Sequence, residues 1–169
     1  PRFYPDLSGV ARSYNFYPSG HARPQDGVVN LALGLGKTIV DGGRSWTYSP
    51  AWPTVRTPVA SPQKLLDETQ REFWAINMGS PPAYDPVAET EYLLRASLAD
   101  AETDGTLRLT ASTFDPRSDR IVLGTGAAGP RLLDFAPVLV MDELPLNALL
   151  RDLLDAFEEA IHAEVEIEF

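Results

Sequence analysis

A glycine-rich turn followed by a lysine is the first feature of this sequence that could do chemistry. The turn is GLGKT, with Gly34 and Gly36 two positions apart and Lys37 directly after them. Glycines let backbone amides approach a phosphate group closely, and a lysine can supply a point charge to a phosphate oxygen. We therefore predict Gly34, Gly36 and Lys37 as cofactor-binding residues for a nucleotide. The alternative is a tight turn that binds nothing, beside a solvated lysine.

The turn does not fit the Walker phosphate loop. That motif requires a glycine five positions before the glycine that precedes its lysine. Position 31, where this glycine would stand, is leucine. Gly42 and Gly43 would also interrupt the helix that a Walker loop must open. The four glycines between 34 and 43 instead predict a loop or a strongly bent pair of strands.

Two carboxylates near the end of the sequence are the second candidate. The segment AEVEIEF alternates acidic and apolar residues, as a half-buried strand does. On such a strand Glu166 and Glu168 point to one face, about 7 Å apart. One or two carboxylates together with ATP phosphates are the usual ligands of magnesium in proteins. We predict Glu166 and Glu168 as metal ligands, and the alternative is an edge strand whose acids discourage pairing with another sheet.

The histidines and the clustered aromatics give weaker signals. His21 and His162 are the only histidines, too few for a zinc cluster, so we expect a structural role for both. His162 is predicted near a helix C-terminus, where positive charge is favourable. Trp46, Tyr48 and Trp52 could flank a nucleotide or a partner, although large aromatics are more often core or interface anchors. These residues leave the catalytic residues unassigned.

Three segments, in order, resemble the ATP-grasp, nucleotide-binding domain of phosphoenolpyruvate synthase and pyruvate phosphate dikinase. Residues 8–20, SGVARSYNFYPSG, resemble the family's Ser-Gly-Val entry into a strand, followed by an Asn, a Pro and a Gly. Residues 28–43, VVNLALGLGKTIVDGG, resemble its strand, Gly-Leu-Gly turn and Val-x-Gly segment. Residues 166–168 match, in order, the acid-Ile-Glu strand that ends the family's domain.

The resemblance implies that the cofactors are ATP and Mg²⁺, with the glycine turn near phosphates and the two glutamates on the metal. It also has departures. Lys37 stands where the family commonly carries an acid, Asn30 stands where an acidic residue often precedes the turn, and residues 50–145 do not align with the usual enzymes. The competing interpretation is therefore a degenerate ATP-grasp module that acts in regulation or protein–protein interaction.

The resemblance further implies a parent enzyme larger than this chain. Enzymes of the family pass phosphate from ATP to a histidine on a mobile domain, and then to pyruvate in a barrel domain. The sequence matches neither of these domains and begins with proline. We expect a fragment that is inactive by itself, from an ATP-dependent phosphotransferase. Its expected partners are ATP and the phosphohistidine and pyruvate-binding domains of the parent chain.

Composition sets the remaining expectations. A chain of 169 residues with 44% hydrophobic and 22% charged residues predicts one globular domain over 1–169. The absence of cysteine excludes disulfides and thiolate metal sites. A net charge of −10 disfavours nucleic acid as a partner. No apolar run is long enough for a membrane-spanning helix, so we expect no membrane partner and a cytoplasmic location.

The pattern of elements that must position these residues predicts an α+β fold with a mixed or mainly antiparallel sheet and packed helices. The resemblance makes this the C-terminal lobe of an ATP-grasp domain. Strands are predicted over 8–18 (running into a turn), 26–33, 107–123 (as a hairpin), 137–141 and 164–169. Helices are predicted over 61–76, 89–101 and 145–162, and an extended, proline-rich connection over 49–62.

Overall fold

The computed structural model describes residues 1–55, 61–80, 82–83, 85, 87 and 92–169. Its strands are β1 (Arg2–Phe3), β2 (Ser8–Arg12), β3 (Val28–Ala32), β4 (Trp46–Tyr48), β5 (Glu72–Asn77), β6 (Leu93–Ser97), β7 (Ala111–Asp115), β8 (Arg120–Val122), β9 (Arg131–Leu133) and β10 (Glu166–Glu168). Its α-helices are α1 (Lys37–Val40), α2 (Pro62–Glu68), α3 (Leu98–Asp104), α4 (Ala136–Leu139) and α5 (Leu146–Ile161), and 3-10 turns lie at Pro24–Asp26 and Thr106–Leu109.

The strands form three sheets, in the orders β1-β5-β6, β10-β2-β3-β4 and β8-β7-β9. Every pairing between neighbouring strands is antiparallel. The fold class is therefore α+β, as the sequence predicts. One buried cluster draws on all three sheets and on α5, since it contains Leu31, Phe73, Leu133, Leu150 and Leu154. None of the helices in the described part of the chain could cross a lipid bilayer, because none is both long and apolar enough.

Four elements follow the sequence prediction closely. β2 and β3 lie within the predicted strands, α5 spans nearly all of 145–162, and β10 occupies the terminal alternating segment. His162 ends α5 in the left-handed conformation, with φ 57°, which confirms its predicted place at a helix C-terminus. The apolar stripe of α5 is only partly buried, because Leu150 and Leu154 enter the core whereas Leu149, Phe157 and Ile161 are exposed.

The predicted helix over 61–76 is wrong in its second half. Ser61 caps α2, its hydroxyl accepting from the Lys64 amide, but α2 ends at Glu68 and Phe73 lies in strand β5. The side chain of Gln70 holds the chain extended, because it bonds both the N–H and the C=O of Leu33 at 2.9 and 3.0 Å. A contact between residues 37 positions apart thus overrides the helical spacing.

Within the described residues, the predicted helix over 89–101 is wrong up to Ser97 and is confirmed only over 98–101. Positions 89–91 lie outside the described residues, and Leu93–Ser97 form β6, which pairs with β5. The helix begins only at Leu98, because Ser97 and Asp100 form a reciprocal capping box. It ends at Asp104, and Gly105 follows in the left-handed conformation.

Three further predictions need correction. The run over 137–141 is not a strand, since its first three residues belong to the short helix α4 and the other two follow it. A brief apolar run does not distinguish a buried strand from a buried helix. The hairpin exists but starts at Ala111, since Thr106–Leu109 form a 3-10 turn. Of the two alternatives predicted for the glycine-rich segment, the bent pair of strands is wrong, because the segment is a loop that contains the helical turn α1. Of the connection over 49–62, positions 56–60 lie outside the described residues.

Candidate functional site

The four-stranded sheet β10-β2-β3-β4 has one face on the core and one face toward a cavity. Ala11, Val29 and Ile167 point to the core. The alternate residues of the same strands point the other way, and we call this the cavity face. The register places Glu166 opposite Arg12, and Arg12 opposite Val28. The members of the cavity face that concern the site are Arg12, Val28, Asn30, Thr47, Glu166 and Glu168.

A cavity of about 570 Å³ opens on this face, and we call it the aromatic cavity. The polar residues Arg12, Asn30 and Thr47 form its floor together with the apolar Val28. Its walls come from the loops after β2 and after β4, which supply five ring-bearing side chains: Tyr14, Phe16, Tyr17, His21 and Trp52. This volume is that of a typical small-molecule site, in which apolar walls surround a few fixed polar groups.

Hydrogen bonds of the main chain hold in place the wall that the loop after β2 forms. The Ser13 amide donates to the Val165 carbonyl at 3.0 Å, and the Val165 amide donates to the Ser13 hydroxyl at 3.0 Å. The Asn15 amide donates to the Pro24 carbonyl at 2.7 Å. Tyr14 and Phe16 meet edge to face, with ring centroids 4.9 Å apart. Phe16 nevertheless leaves 69% of its surface exposed, so this wall presents apolar surface to solvent.

The polar groups of the floor are already paired with each other. The Arg12 guanidinium forms an ion pair with the Glu166 carboxylate, and both side chains are part-exposed. The Asn30 amide donates to the Thr47 hydroxyl at 2.7 Å and to the Ser45 hydroxyl at 3.3 Å. The floor therefore offers an arginine, an amide and a hydroxyl, each anchored on a neighbouring strand.

Glu166 and Glu168 lie on the cavity face of the edge strand β10, two residues apart as predicted. Both are exposed, and Glu166 is engaged by Arg12. Among the described residues, no group of three or more His, Cys, Asp or Glu could hold a metal ion. The two carboxylates therefore do not form a metal centre complete in itself, and they would hold Mg²⁺ only together with further oxygen ligands such as phosphates.

The glycine turn lies elsewhere, at the end of β3 that faces the sheet β1-β5-β6. The Leu35 amide donates to the Trp74 carbonyl at 3.0 Å, and the Gly34 amide donates to the Pro5 carbonyl at 3.2 Å. Gly34 has φ +79°, and a Cβ there would lie 2.6 Å from the Trp74 carbonyl oxygen. The close approach of β5 therefore requires glycine at this position.

Lys37 is also occupied on this side. Its ammonium lies 3.0 Å from the Asp41 carboxylate, one turn along α1, and 5.6 Å from the centre of the Trp74 ring. Gly36 precedes α1 with an ordinary helical φ of −56°. In the register of the sheet, Glu168 pairs with Val10, and Val10 pairs with Asn30. Gly34 follows the end of β3 at Ala32, four residues beyond Asn30. The structure thus separates the predicted cofactor residues from the predicted metal ligands.

Sequence reasoning missed Arg12 and the aromatic wall around Tyr14, Phe16 and Tyr17. Arg12 and Glu166 are 154 positions apart, so their ion pair depends on the pairing of β2 with β10. The spacing of the aromatic residues in SYNFYP could have indicated this wall. Three large aromatic residues within four positions of a loop are seldom all buried, and they then form an exposed apolar patch. Trp52 and Tyr48 line the cavity, although Tyr48 is buried, and Trp46 packs on the core.

Two ionisable groups beside the aromatic cavity have shifted pKa values. Burial raises the pKa of Tyr48 well above its ordinary range, so its hydroxyl stays neutral. The pKa of Asp26 is lowered, chiefly because the backbone N–H of Arg23 donates to its carboxylate at 2.8 Å. Both groups keep their ordinary charge state at neutral pH.

Protein-family models, curated proteins and solved structures were compared with the chain, and none of them matches it.

Proposed function

We propose that this chain is the ATP- and magnesium-binding part of an ATP-dependent phosphotransferase similar to phosphoenolpyruvate synthase and pyruvate phosphate dikinase. The observation that carries the proposal is the strand order β10-β2-β3. It sets the Ser-Gly-Val strand, the strand that leads into the Gly-Leu-Gly turn, and the Glu-Ile-Glu strand side by side. These are the three segments that resemble the family, and the sequence alone leaves their spatial relation open.

The aromatic cavity supports a nucleotide as the ligand. Its exposed rings offer stacking surfaces for a base, and base stacking on aromatic side chains contributes about 1–3 kcal/mol. The Arg12 guanidinium on the floor can take a phosphate in its planar fork. Glu166 and Glu168, on the same face of the sheet, can supply oxygen ligands to a magnesium ion that bridges the phosphates.

The ion pair between Arg12 and Glu166 has a place in this proposal. Without ligand, each group neutralises the other on an exposed surface, where such pairs contribute little stability. Binding of Mg²⁺ and ATP would divide them, with Arg12 turning to phosphate and Glu166 to the metal. The exchange replaces one charge pairing with two. The predicted contacts of Gly34, Gly36 and Lys37 with a cofactor remain predictions, because the structure places these residues outside the aromatic cavity.

Calorimetric titration of the chain with ATP, with and without Mg²⁺, tests the proposal. We expect binding that is tighter with Mg²⁺, and we expect Glu168→Gln to remove most of the magnesium dependence. Glu159→Gln is the matched control, since Glu159 is an exposed acid on α5 and makes the same change of charge. Absence of ATP binding, or equal effects of the two variants, would contradict the assignment.

A second candidate is a degenerate module that acts in regulation or protein contacts. The observation that favours it is Lys37, whose ammonium is held by Asp41 and the Trp74 ring, outside the aromatic cavity. If the chain binds neither ATP nor Mg²⁺ and stays folded, this second function is preferred.

A further inference from the structure

A second cavity, of about 460 Å³, lies beside the glycine turn, and we call it the arginine cavity. It is bounded by the segment that contains α1 and by the neighbouring strands β5 and β6. Three arginines reach it from three different elements: Arg44 from the loop after α1, Arg71 from the residue before β5, and Arg95 from β6. It shares none of its lining residues with the aromatic cavity. It is therefore a separate place on the molecule.

The charge of this cavity is opposite to that of the chain. The ionised side chains in and around it form a local cluster whose cations outnumber its carboxylates: Lys37, Arg44, Arg71 and Arg95 against Asp41, Asp67 and Glu72. The chain as a whole carries a net charge of −10. A positive site on so acidic a protein is a local concentration of cations, and such clusters attract anions.

The carboxylates near the arginine cavity are engaged unequally. Asp41 is neutralised by Lys37 at 3.0 Å, and Asp67 by Arg71 at 2.8 Å. Glu72 lies 3.9 Å from Arg95, which is a loose pairing of two exposed groups. Among the described residues, Arg44 donates to a main-chain carbonyl, that of Asp67, and to no carboxylate. Arg44 is thus the cation most available to an added anion.

A buried hydroxyl supplies an independent sign of a ligand. Thr38 lines the arginine cavity and is only 7% exposed. Its hydroxyl has no hydrogen-bond partner within the part of the chain that the structure describes. An unpaired buried polar group is unfavourable. The hydroxyl oxygen is enclosed in the free chain, so a rotation of the Thr38 side chain would have to bring it to the cavity, where it could donate to an oxygen of a bound anion.

We propose that the arginine cavity binds a phosphate-bearing anion, with Arg44 and Arg95 as its cationic ligands and Thr38 as a neutral donor. Arginine suits this ligand because its planar fork of N–H donors matches the oxygens of a phosphate. The Arg95 guanidinium lies 4.8 Å from the centre of the Trp74 ring, and this contact holds it at the edge of the cavity. The inference does not rest on the proposed function, since it concerns different residues.

The three tryptophans make the test direct, because each lies in a different cavity. Trp52 lines the aromatic cavity, Trp74 lines the arginine cavity, and Trp46 lines a third. We expect inorganic pyrophosphate to shift the indole N–H signal of Trp74 in an NMR titration and to leave those of Trp52 and Trp46 in place. Failure of Trp74 to respond to millimolar pyrophosphate or phosphate would overturn the inference.

Two variants distinguish specific recognition of pyrophosphate from general electrostatic attraction to the chain. Arg44→Gln is expected to weaken pyrophosphate binding about tenfold, the effect of losing one charge-assisted hydrogen bond. Arg120→Gln, an exposed arginine on β8, makes the same change of charge and should leave binding unaltered. Equal weakening by both variants would overturn the inference in favour of general electrostatic attraction.

Thr38→Val supplies a second arm that does not depend on charge. It should weaken pyrophosphate binding several-fold while leaving the free chain at least as stable, because it removes a buried hydroxyl that has no partner. Thr110→Val is the matched control, since the Thr110 hydroxyl is also buried without a partner among the described residues but lies outside this cavity. If Thr38→Val leaves binding unchanged, or if only ATP and not pyrophosphate shifts Trp74, the separate phosphate site is refuted.

Discussion

The two kinds of residue that the sequence marks for chemistry lie near opposite ends of strand β3, and their surroundings differ. At one end Val28 lies beside Arg12 and the exposed carboxylate of Glu166, at the floor of an open cavity. At the other end Gly34 is pressed against β5, with no room for a Cβ. A glycine motif can therefore mark tight packing between sheets, whereas an alternating acidic strand marks a surface that remains open to a ligand.

The largest expected effect tests the packing role of the glycine turn. Gly34→Ala should destabilise the chain by roughly 2–4 kcal/mol, since its Cβ would collide with the Trp74 carbonyl and φ is +79°. Gly42 has φ +71° but open space around it, so Gly42→Ala should cost only about 1 kcal/mol. Urea unfolding of the two variants measures the difference, and equal losses would show that packing against β5 is not the reason for glycine at position 34.

Gly36→Ala completes that series. Gly36 has an ordinary helical φ, and its Cβ would come no closer than 4.0 Å to the Ser8 hydroxyl. We expect unchanged stability or a gain of up to about 1 kcal/mol, because alanine restricts the unfolded chain. A strong loss of stability in the same urea experiment would mean that the glycine turn needs both of its glycines for the fold.

The next effect compares the two ends of β3 in ligand binding. Arg12→Gln should weaken ATP binding about tenfold through the loss of a charge-assisted contact to phosphate. Lys37→Gln should change it less than about twofold, because Lys37 is held by Asp41 away from the aromatic cavity. Calorimetry with ATP and Mg²⁺ compares the two variants. A larger loss of ATP affinity in Lys37→Gln than in Arg12→Gln would support the prediction from the sequence that Lys37 binds the cofactor.

The smallest effect concerns pH and the strand β1, which borders the glycine turn. The pKa of Asp104 is lowered, first by the hydrogen bond from Arg2 and then by that from the Tyr4 hydroxyl. A carboxyl with a lowered pKa in the folded state contributes stability above its unfolded pKa of about 4, and this contribution is lost as pH falls through the folded value. Asp104→Asn should therefore lower the urea midpoint at pH 6, and this loss should shrink as the pH falls below about 4.

Asp119→Asn serves as the control for this pH experiment. Asp119 is an exposed turn residue with φ 50°, a conformation that asparagine tolerates as well as aspartate. Its urea midpoint should follow that of the unchanged chain from pH 6 to pH 2. A difference between the Asp104→Asn variant and the unchanged chain that is as large at pH 2 as at pH 6 would show that the ion pair with Arg2 is not its source.

Local patterns predicted some of these elements, and tertiary contacts decided the others. The stripe of leucines in α5 and the alternation of Glu166 and Glu168 are local periodicities, so both elements could be predicted. Phe73 also fits a helical spacing, yet it lies in a strand, because the Gln70 side chain binds the main chain of Leu33. The spacing of apolar residues along the sequence cannot predict a contact between residues so far apart.

The candidate site was predictable only in part, for a similar reason. Glu166 and Glu168 could be proposed as ligands from residue type and spacing. The floor residue Arg12 and the wall residue Trp52 become neighbours of one cavity only when β2, β3 and β4 pair. Their proximity depends on the order of the strands in the sheet, which local sequence patterns do not predict.

The most direct test of the central claim follows the indole N–H signals of the three tryptophans by NMR during titration with ATP and Mg²⁺. If the aromatic cavity binds the nucleotide, the signal of Trp52 shifts and saturates, while that of Trp46 in the third cavity stays in place. Glu168→Gln should then raise the concentration of Mg²⁺ needed for saturation. A Trp52 signal that does not move at saturating ATP and Mg²⁺ would contradict the account.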